Sequence, residues 1–493
     1  MVADQSFDDR PLHQLLRDHF GWEQFRPGQL EACRSVMEGG DTLVLMPTGS
    51  GKSLCYQLPG LLIPGVTLVI SPLISLAADQ AAHLQKTQDT VAVLNSSRKK
   101  SEIAKLRKNV AAGKIEFVFT TPERLQSTDL VDVLNQAGVS LMVIDEAHCV
   151  SQWGHDFRPD YLSLHHARVR LGNPRILAMT ATAGERTRNE ICDILHLSNV
   201  NTITGGIERP NLAIGVRHCR SDDKDTMLAD LLSPPIRETT LVYCGTTKNA
   251  ERLQVQYKDI GCPVMCYHGR MKKADRQTSQ SMFMQQTPSL MFATNAFGLG
   301  IDKPDIRHVI HYDLPGSIEA YYQEFGRAGR DGNPSRCTLL YDRADIGRRK
   351  AFAGGYIKPT ELSTAHRAMA LTLQRTGGGT IASIKEMATH SPLSRSKLKS
   401  SLQMLASRGV VVPAGRGRWE MIVDDIGHRI VDSIAATAKS RSEQRQVAVR
   451  QMVEFAESIE CRWRKLRQHF IGNDGQDWCD QCRCDQCGFS AAA

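Results

Sequence analysis

No run in this sequence approaches the ~18 consecutive apolar residues that a membrane-crossing helix needs, and a membrane role is not expected. The opening stretch, MVADQSFDDRPLHQLLRDHF, is charged throughout and lacks the apolar centre of a secretory signal, so a cytoplasmic setting is expected. Charge of one sign is not dominant: the net +8 permits a polyanionic partner without demanding one. Long low-complexity tracts and fixed-period repeats are missing. Aromatic residues are scarce, at 6%, so any cluster of them needs a reason. Cysteines are not spaced as a disulfide framework. Nine of the 14 are scattered up to Cys337, as inert buried thiols usually are, and the other five fall in residues 461–493.

What is present is a chain of 493 residues, too long for one hydrophobic core and suited to about three domains. Through about residue 345, short apolar runs alternate with longer helical patterns. The runs are TLVLM (42–46), TLVIS (67–71), FVFTT (117–121), LMVID (141–145), ILAMT (176–180), TLVYC (240–244), LMFAT (290–294), HVIHYD (308–313) and CTLLY (337–341). Such runs between turn residues fit strands buried on both faces of parallel sheets. Their number points to two doubly wound α/β domains, with GGIERPNL (205–212) as the junction.

MPTGSGKS (46–53) follows one of these strands and precedes a helical pattern. Gly49 and Gly51 let the backbone curl so that its N–H groups face phosphate. Lys52 reaches the terminal phosphates, and Ser53 is placed to bind Mg²⁺. Thr48 and Ser50 complete the loop. Met46 stands where the generic motif has glycine. Asp145 and Glu146 of DEAH leave another strand at its C-terminal end, where α/β sheets bind ligands. Asp145 suits Mg²⁺ held through water, and Glu146 suits orienting a water for phosphoryl transfer. Close behind comes SQWGHDFRPDY (151–161), in which aromatics and charges interleave.

Ten segments occur in the order of a superfamily 2 helicase: FGWEQFRPGQ (20–29), MPTGSGKS, SPLISLAADQ (71–80), TPERL (121–125), DEAH, SQWGHDFRPDY, TATA (180–183), YHGR (267–270), ATNAFGLGIDKPDIRHVIHYDLP (293–315) and YYQEFGRAGRDG (321–332). Over residues ~10–350 the chain resembles a RecQ-type DNA helicase. The resemblance implies two RecA-like domains with ATP between them, Mg²⁺, and 3′→5′ movement on single-stranded DNA. It implies adenine reading by Gln29 with Arg26, and a link from hydrolysis to DNA through His148. It also implies a cleft-facing motif of Gln323, Arg327 and Arg330, the two arginines being candidate arginine fingers, and a nucleotide and strand contact at Asp302. SQWGHDFRPDY resembles the aromatic loop of these helicases, with Gln152, Trp153, His155, Phe157 and Arg158 expected to couple DNA to hydrolysis. Stacking on such rings is worth ~1–3 kcal/mol per base whatever the sequence. The chain departs from the family pattern at Ala77 and Ala78, where a larger and a basic residue are usual, and at YHGR.

Residues 380–422 read as a winged helix. Leu398, Leu402 and Leu405 give helical spacing, and VVV, a Gly/Pro turn and RWEMI give a hairpin. Arg395, Lys397, Lys399, Arg408, Arg416 and Arg418 are basic, with no acidic residue between Ser391 and Arg418. DNA contact is expected there. One or two long helices over 426–470 place Met452, Phe455, Ile459, Trp463 and Leu466 on one stripe. Cys461 and CDQCRCDQC (479–487) point to structural Zn²⁺, which takes four ligands from Cys461, Cys479, Cys482, Cys484 and Cys487. The RecQ pattern of one helix cysteine followed by three clustered ones favours Cys461 with three of the others. A winged helix ahead of the cysteines is similar to the RqlH-like branch.

The expected domains are 1–206 and 207–352 (RecA-like), 353–430 (winged-helix-like) and 431–493 (helical and zinc-binding). The expected partner is single-stranded and tailed or forked duplex DNA, met by a nucleoid-associated monomer acting in repair or recombination. The rival readings are an RNA helicase, a translocase that remodels protein–DNA complexes without separating strands, and a non-catalytic DNA-binding protein with a relic motor.

Overall fold

The computed structural model describes residues 7–72, 74–85, 90–94, 100–151, 157–233, 235–298, 301–353, 357–415, 417–472 and 482–487. The chain forms two compact units: Met1–Asp345 with Met452–Ala493, and Ile346–Gln451. The division at Gln451 falls inside a single long helix, His428–Glu457.

The first unit holds two parallel sheets. Strands β1 (Thr42–Leu45), β2 (Val66–Ile70), β3 (Val91–Leu94), β4 (Phe117–Thr120), β5 (Val139–Ile144), β6 (Arg175–Thr180) and β7 (Asn201–Thr204) line up in the order β3-β4-β2-β5-β6-β1-β7. Strands β8 (Leu212–His218), β9 (Thr239–Tyr243), β10 (Val264–Tyr267), β11 (Leu290–Ala293), β12 (Ile306–His311) and β13 (Ser335–Tyr341) form the second, in the order β10-β11-β9-β12-β13-β8. All nine apolar runs are strands. The strands not read from sequence are β3, β7, β8 and β10. NTIT of β7 is largely exposed and has no apolar run to betray it. Both faces of the first sheet are covered. One face buries Leu43, Leu68, Met142 and Ile144, and the other buries Val44, Val69, Val143 and Leu177. That two-sided burial is why these strands are continuous apolar runs instead of alternating ones.

Because every strand of the first sheet is parallel, the ends of β1, β5 and β6 open on one edge. The phosphate loop, DEAH and TATA therefore converge there by topology.

The segment from Cys482 to Cys487 extends the second sheet. Ile214 N donates to Arg483 O at 3.0 Å, Asp485 N to Ile214 O at 3.0 Å, and Val216 N to the Asp485 carboxylate at 3.0 Å. β8 is an edge strand, and this pairing satisfies part of its open backbone. Beside it the helix Arg462–Phe470 packs Trp463 and Phe470 against Phe325 and Tyr322. Met452, Phe455, Trp463 and Leu466 are buried as the helical stripe predicts, but Ile459 is 87% exposed. The chain breaks between helices at 458–461, which removes Ile459 from the stripe.

In the second unit, β14 (Ile381–Ser383), β15 (Val411–Pro413) and β16 (Arg418–Met421) form an antiparallel sheet. It covers helices Pro359–Arg375 and Arg395–Ala406 around Leu362, Met369, Leu398, Leu402, Leu405 and Trp419.

Candidate active site

The phosphate loop is held through its carbonyls, by its own lysine and by side chains from outside it. Lys52 Nζ donates to Met46 O at 3.1 Å and Pro47 O at 3.2 Å. Arg209 Nη1 donates to Thr48 O at 3.1 Å, and Arg26 Nη1 to Gly49 O at 2.9 Å. Gln29 Nε2 donates to Ser50 O and Gly51 O, both at 3.0 Å, while its Oε1 accepts from Arg26 N at 2.9 Å. Six successive carbonyls, Met46 to Gly51, are thus engaged by side-chain donors, and the N–H groups of such a Gly-rich turn suit an anion-binding nest. The helix Leu54–Leu62 begins directly after Ser53 and adds the positive end of its dipole. Gly51 has φ +81°, and a Cβ there would stand 2.7 Å from Gln29 Nε2, so only glycine fits. The Met46 side chain fills the space that side chains on Gly28 and Gly205 would need, which is how the departure from the generic motif is accommodated. Burial pulls the Lys52 ammonium below its usual pKa, opposed by Glu146 and Asp145. A buried cation with this balance fits a polyphosphate partner.

Asp145 is buried, and its pKa rises to about 6, first through burial and then through Glu146; Lys52 and the bond from Gln80 oppose the rise. Gln80 Nε2 meets the Asp145 carboxylate at 3.1 Å. A carboxylate this costly to ionise fits a divalent cation, so Asp145 and Ser53 are the residues that would hold Mg²⁺. Glu146 adopts left-handed backbone angles, φ 49° and ψ 48°, which cost about 1–3 kcal/mol for a residue with a Cβ and cluster at functional sites. Its N–H is fixed by the Asp145 carboxylate at 3.0 Å. His148 Nδ1 lies 2.9 Å from Thr180 Oγ1 and 3.4 Å from Glu146 Oε2. DEAH and TATA are thus joined by one imidazole.

Of the aromatic loop, residues 152–156, including Gln152, Trp153 and His155, lie outside the described residues. Its base is fixed at both described ends. Tyr161, fully buried, donates its hydroxyl to Asp145 O at 3.0 Å. Arg158 donates to Pro72 O of SPLISLAADQ, and its N–H to Cys149 O. Arg158, expected from sequence to couple DNA to hydrolysis, therefore also ties the loop to a second motif. Phe157 is half-buried.

The two sheets of the first unit define two lobes, β1–β7 and β8–β13, and from the second of these Arg330 reaches the phosphate loop. A Cβ on Gly49 would lie 3.4 Å from Arg330 Cγ. Arg330 Nη1 donates to Ile301 O at 2.6 Å and Asp302 Oδ1 at 2.7 Å. Burial, then Arg327, pushes the Arg330 pKa down, so an anion beside it would be favoured. Asp302 itself is mostly exposed. Arg327 is buried at 4% and stands beside Gly298, inside the second lobe. Gln323 is buried too. The two candidate fingers therefore occupy different places, and Arg330 is the one at the loop.

Gln80, Tyr161, Thr180 and Arg209 join the site although the sequence motifs do not single them out. The first three sit inside quoted motifs. Arg209 lies in the segment read as a junction.

Models of two families match the chain: DEAD/DEAH box helicase over residues 26–191, and helicase conserved C-terminal domain over residues 223–332. The probable ATP-dependent DNA helicase RecS of Bacillus subtilis is 41% identical over 341 residues, covering 68% of this chain and 68% of RecS. This chain belongs to the RecQ-type family of ATP-dependent DNA helicases. RecQ of Bacillus subtilis is 42% identical over 67% of this chain, and RecQ of Haemophilus influenzae is 38% identical over 67%. The chain spans 56% and 53% of those two proteins. The helicase MrfA bound to DNA has the same fold, with a TM-score of 0.56 and 19% identity, covering 87% of this chain and 61% of MrfA. Mycobacterium smegmatis helicase Lhr does as well, with 0.54 and 20%, covering 86% and 63%. Among the described residues, no helix is long and apolar enough to cross a membrane.

Apart from the ATP site, the RecQ-type chain carries a cysteine cluster. The sulfurs of Cys461, Cys482, Cys484 and Cys487 all lie within 4.8 Å of one another. Cys461 Sγ is 3.3 Å from Cys482 Sγ and 3.9 Å from Cys484 Sγ. A tetrahedral Zn²⁺ with ~2.3 Å bonds sets its sulfurs about 3.8 Å apart, so the four fit the metal. Burial pushes the Cys482 thiol up to about 12, a cost that a bound cation would offset. Cys479 lies outside the described residues.

Proposed function

We propose that this chain is an ATP- and Mg²⁺-dependent DNA helicase that moves 3′→5′ along single-stranded DNA. The single observation that carries the reading is convergence. Lys52, Asp145, Glu146 and Arg330 come from two lobes to one cleft, and His148, Tyr161 and Arg158 connect that cleft to the aromatic loop. Bound nucleotide would supply a phosphoryl group that favours closure of the cleft. Glu146 orients the attacking water, Lys52 and Arg330 neutralise developing charge, and Arg26 and Gln29 hold the loop and the adenine side. Arg327, Gln323 and Asp302 take part from the second lobe.

Trp153, Phe157 and Arg158, with Gln152 and His155, are assigned to the DNA strand. The described part of that assignment rests on the loop base being bonded to the backbone of Asp145 itself. Strand binding that moves this base moves the hydrolytic groups with it.

Residues 353–430 act as a winged helix that contacts DNA. Arg395, Lys399, Arg408 and Arg418 are exposed there, whereas Lys397 is paired with Glu361 at 2.5 Å. The cysteine cluster holds structural Zn²⁺ through Cys461, Cys482, Cys484 and Cys487, leaving Cys479 as the surplus thiol. The setting is the nucleoid, in repair or recombination.

The test is ATP hydrolysis by the full chain with single-stranded DNA, or with RNA of the same sequence, as activator. The reading requires strong stimulation by DNA and little by RNA. Equal stimulation would move it to an RNA or mixed-substrate helicase.

A further inference from the structure

The sequence Glu208-Arg209-Pro210-Asn211 joins the two lobes, and its side chains do more than connect. Arg209 spreads its guanidinium between the lobes. Nη1 donates to Thr48 O of the phosphate loop at 3.1 Å and to Gly326 O at 3.0 Å, and Nη2 donates to Ala328 O at 2.9 Å and Gly329 O at 2.7 Å. Asn211 Nδ2 adds bonds to Gly329 O at 2.8 Å and Asn333 O at 3.0 Å. The turn 326–329 leads directly into Arg330. On the other side of the linker, Glu208 accepts from Arg467 at 2.6 Å, with both side chains about 10% exposed. The segment is therefore pinned from both directions. Burial depresses the Arg209 pKa, and an arginine kept there carries a cost that a passive linker has no use for.

We infer that Arg209 is a positioning residue for ATP hydrolysis, setting the distance between the phosphate loop and the turn that carries Arg330. The forked guanidinium is suited to this. Its planar donors can satisfy four carbonyls on two lobes at once, whereas a lysine ammonium is a single point with three donors. Removing it lets the turn drift from Thr48, and a displacement of ~1 Å at a reacting centre costs on the order of 10²-fold in rate. The phosphate loop keeps its bonds from Lys52, Arg26 and Gln29, so nucleotide binding is largely retained. This inference rests on the proposed ATP-driven function.

The experiment uses the full chain and measures kcat for DNA-stimulated hydrolysis, Kd for a fluorescent non-hydrolysable ATP analogue, and Tm. The variants are Arg209→Ala, Arg209→Lys, Arg330→Ala and the double variant Arg209→Ala with Arg330→Ala. Arg209→Ala is expected to lower kcat about 10- to 100-fold, with Kd within about threefold. The double variant is expected to be no slower than Arg330→Ala alone, because Arg209 acts through Arg330. If Arg209→Ala fails to fold, Arg209→Lys carries the test, with a kcat loss of about tenfold expected. Wild-type kcat in the folded variants would overturn the inference. So would a kcat loss matched by Kd, or full additivity with Arg330→Ala. A wild-type chain that does not hydrolyse ATP with DNA would overturn the proposed function, and this inference with it, whereas a working wild type and a working Arg209→Ala overturn this inference alone.

Discussion

The imidazole of His148 meets the hydroxyl of Thr180 at 2.9 Å, both groups being buried. Thr180 ends β6 and His148 follows β5, so the contact ties the ends of two neighbouring strands. The same Nδ1 stands 3.4 Å from Glu146, so one imidazole links the Thr180 hydroxyl to the Glu146 carboxylate. Thr180→Val keeps the shape and removes the hydroxyl. Losing one hydrogen bond of about 0.5–1.5 kcal/mol corresponds to an effect of about twofold to twelvefold. We expect that loss in DNA-stimulated hydrolysis, with basal hydrolysis and strand binding unchanged. Steady-state assays with and without DNA check it, and equal loss in both would contradict the link.

Lys52→Ala should lower ATP hydrolysis by on the order of 10²–10³-fold, the usual cost of removing a preorganised charge from such a site. Single-strand binding and thermal stability should hold, since Lys52 bonds only to carbonyls of its own loop among its described contacts. Loss of folding would count against the assignment.

Arg330 and Arg327 should separate. Arg330→Ala removes the guanidinium at the phosphate loop and is expected to cost about 10³-fold or more in hydrolysis, with the smaller change in Tm, because its ion-pair partner Asp302 is mostly exposed. Arg327 is buried in the second lobe. Arg327→Ala should therefore also lower stability, by about 1–3 kcal/mol. Chemical denaturation beside kinetics distinguishes them, and identical stability of the two variants would refute the placement.

Metal content tests the cysteine cluster. Cys461→Ser should abolish stoichiometric zinc, and Cys479→Ser should leave about one zinc per chain. Elemental analysis of the purified proteins reads both. The segment 482–487 pairs with β8, so chelation should also lower Tm. Zinc lost from Cys479→Ser would overturn the ligand set.

Much of this was legible in the sequence because buried parallel strands write themselves as apolar runs, and because phosphate chemistry fixes glycine, lysine and carboxylate spacing. β7 was not legible, since an exposed edge strand carries no such run. Ile459 fell on a helical stripe that sequence periodicity could not know was interrupted. The different positions of Arg327 and Arg330 depend on how a turn folds across a cleft, which spacing alone does not encode. Arg209 was hidden for the opposite reason: a linker has no periodicity, so its chemistry appears only when its neighbours in space are known.

A DNA-driven motor of this kind separates strands with one polarity. The most direct measurement is ATP-driven strand displacement by the full chain on duplexes carrying either a 3′ or a 5′ single-stranded tail. Displacement from the 3′-tailed duplex alone is the predicted result. Displacement from the 5′ tail would contradict the polarity, and DNA-stimulated hydrolysis without displacement from either would contradict strand separation and leave a translocase.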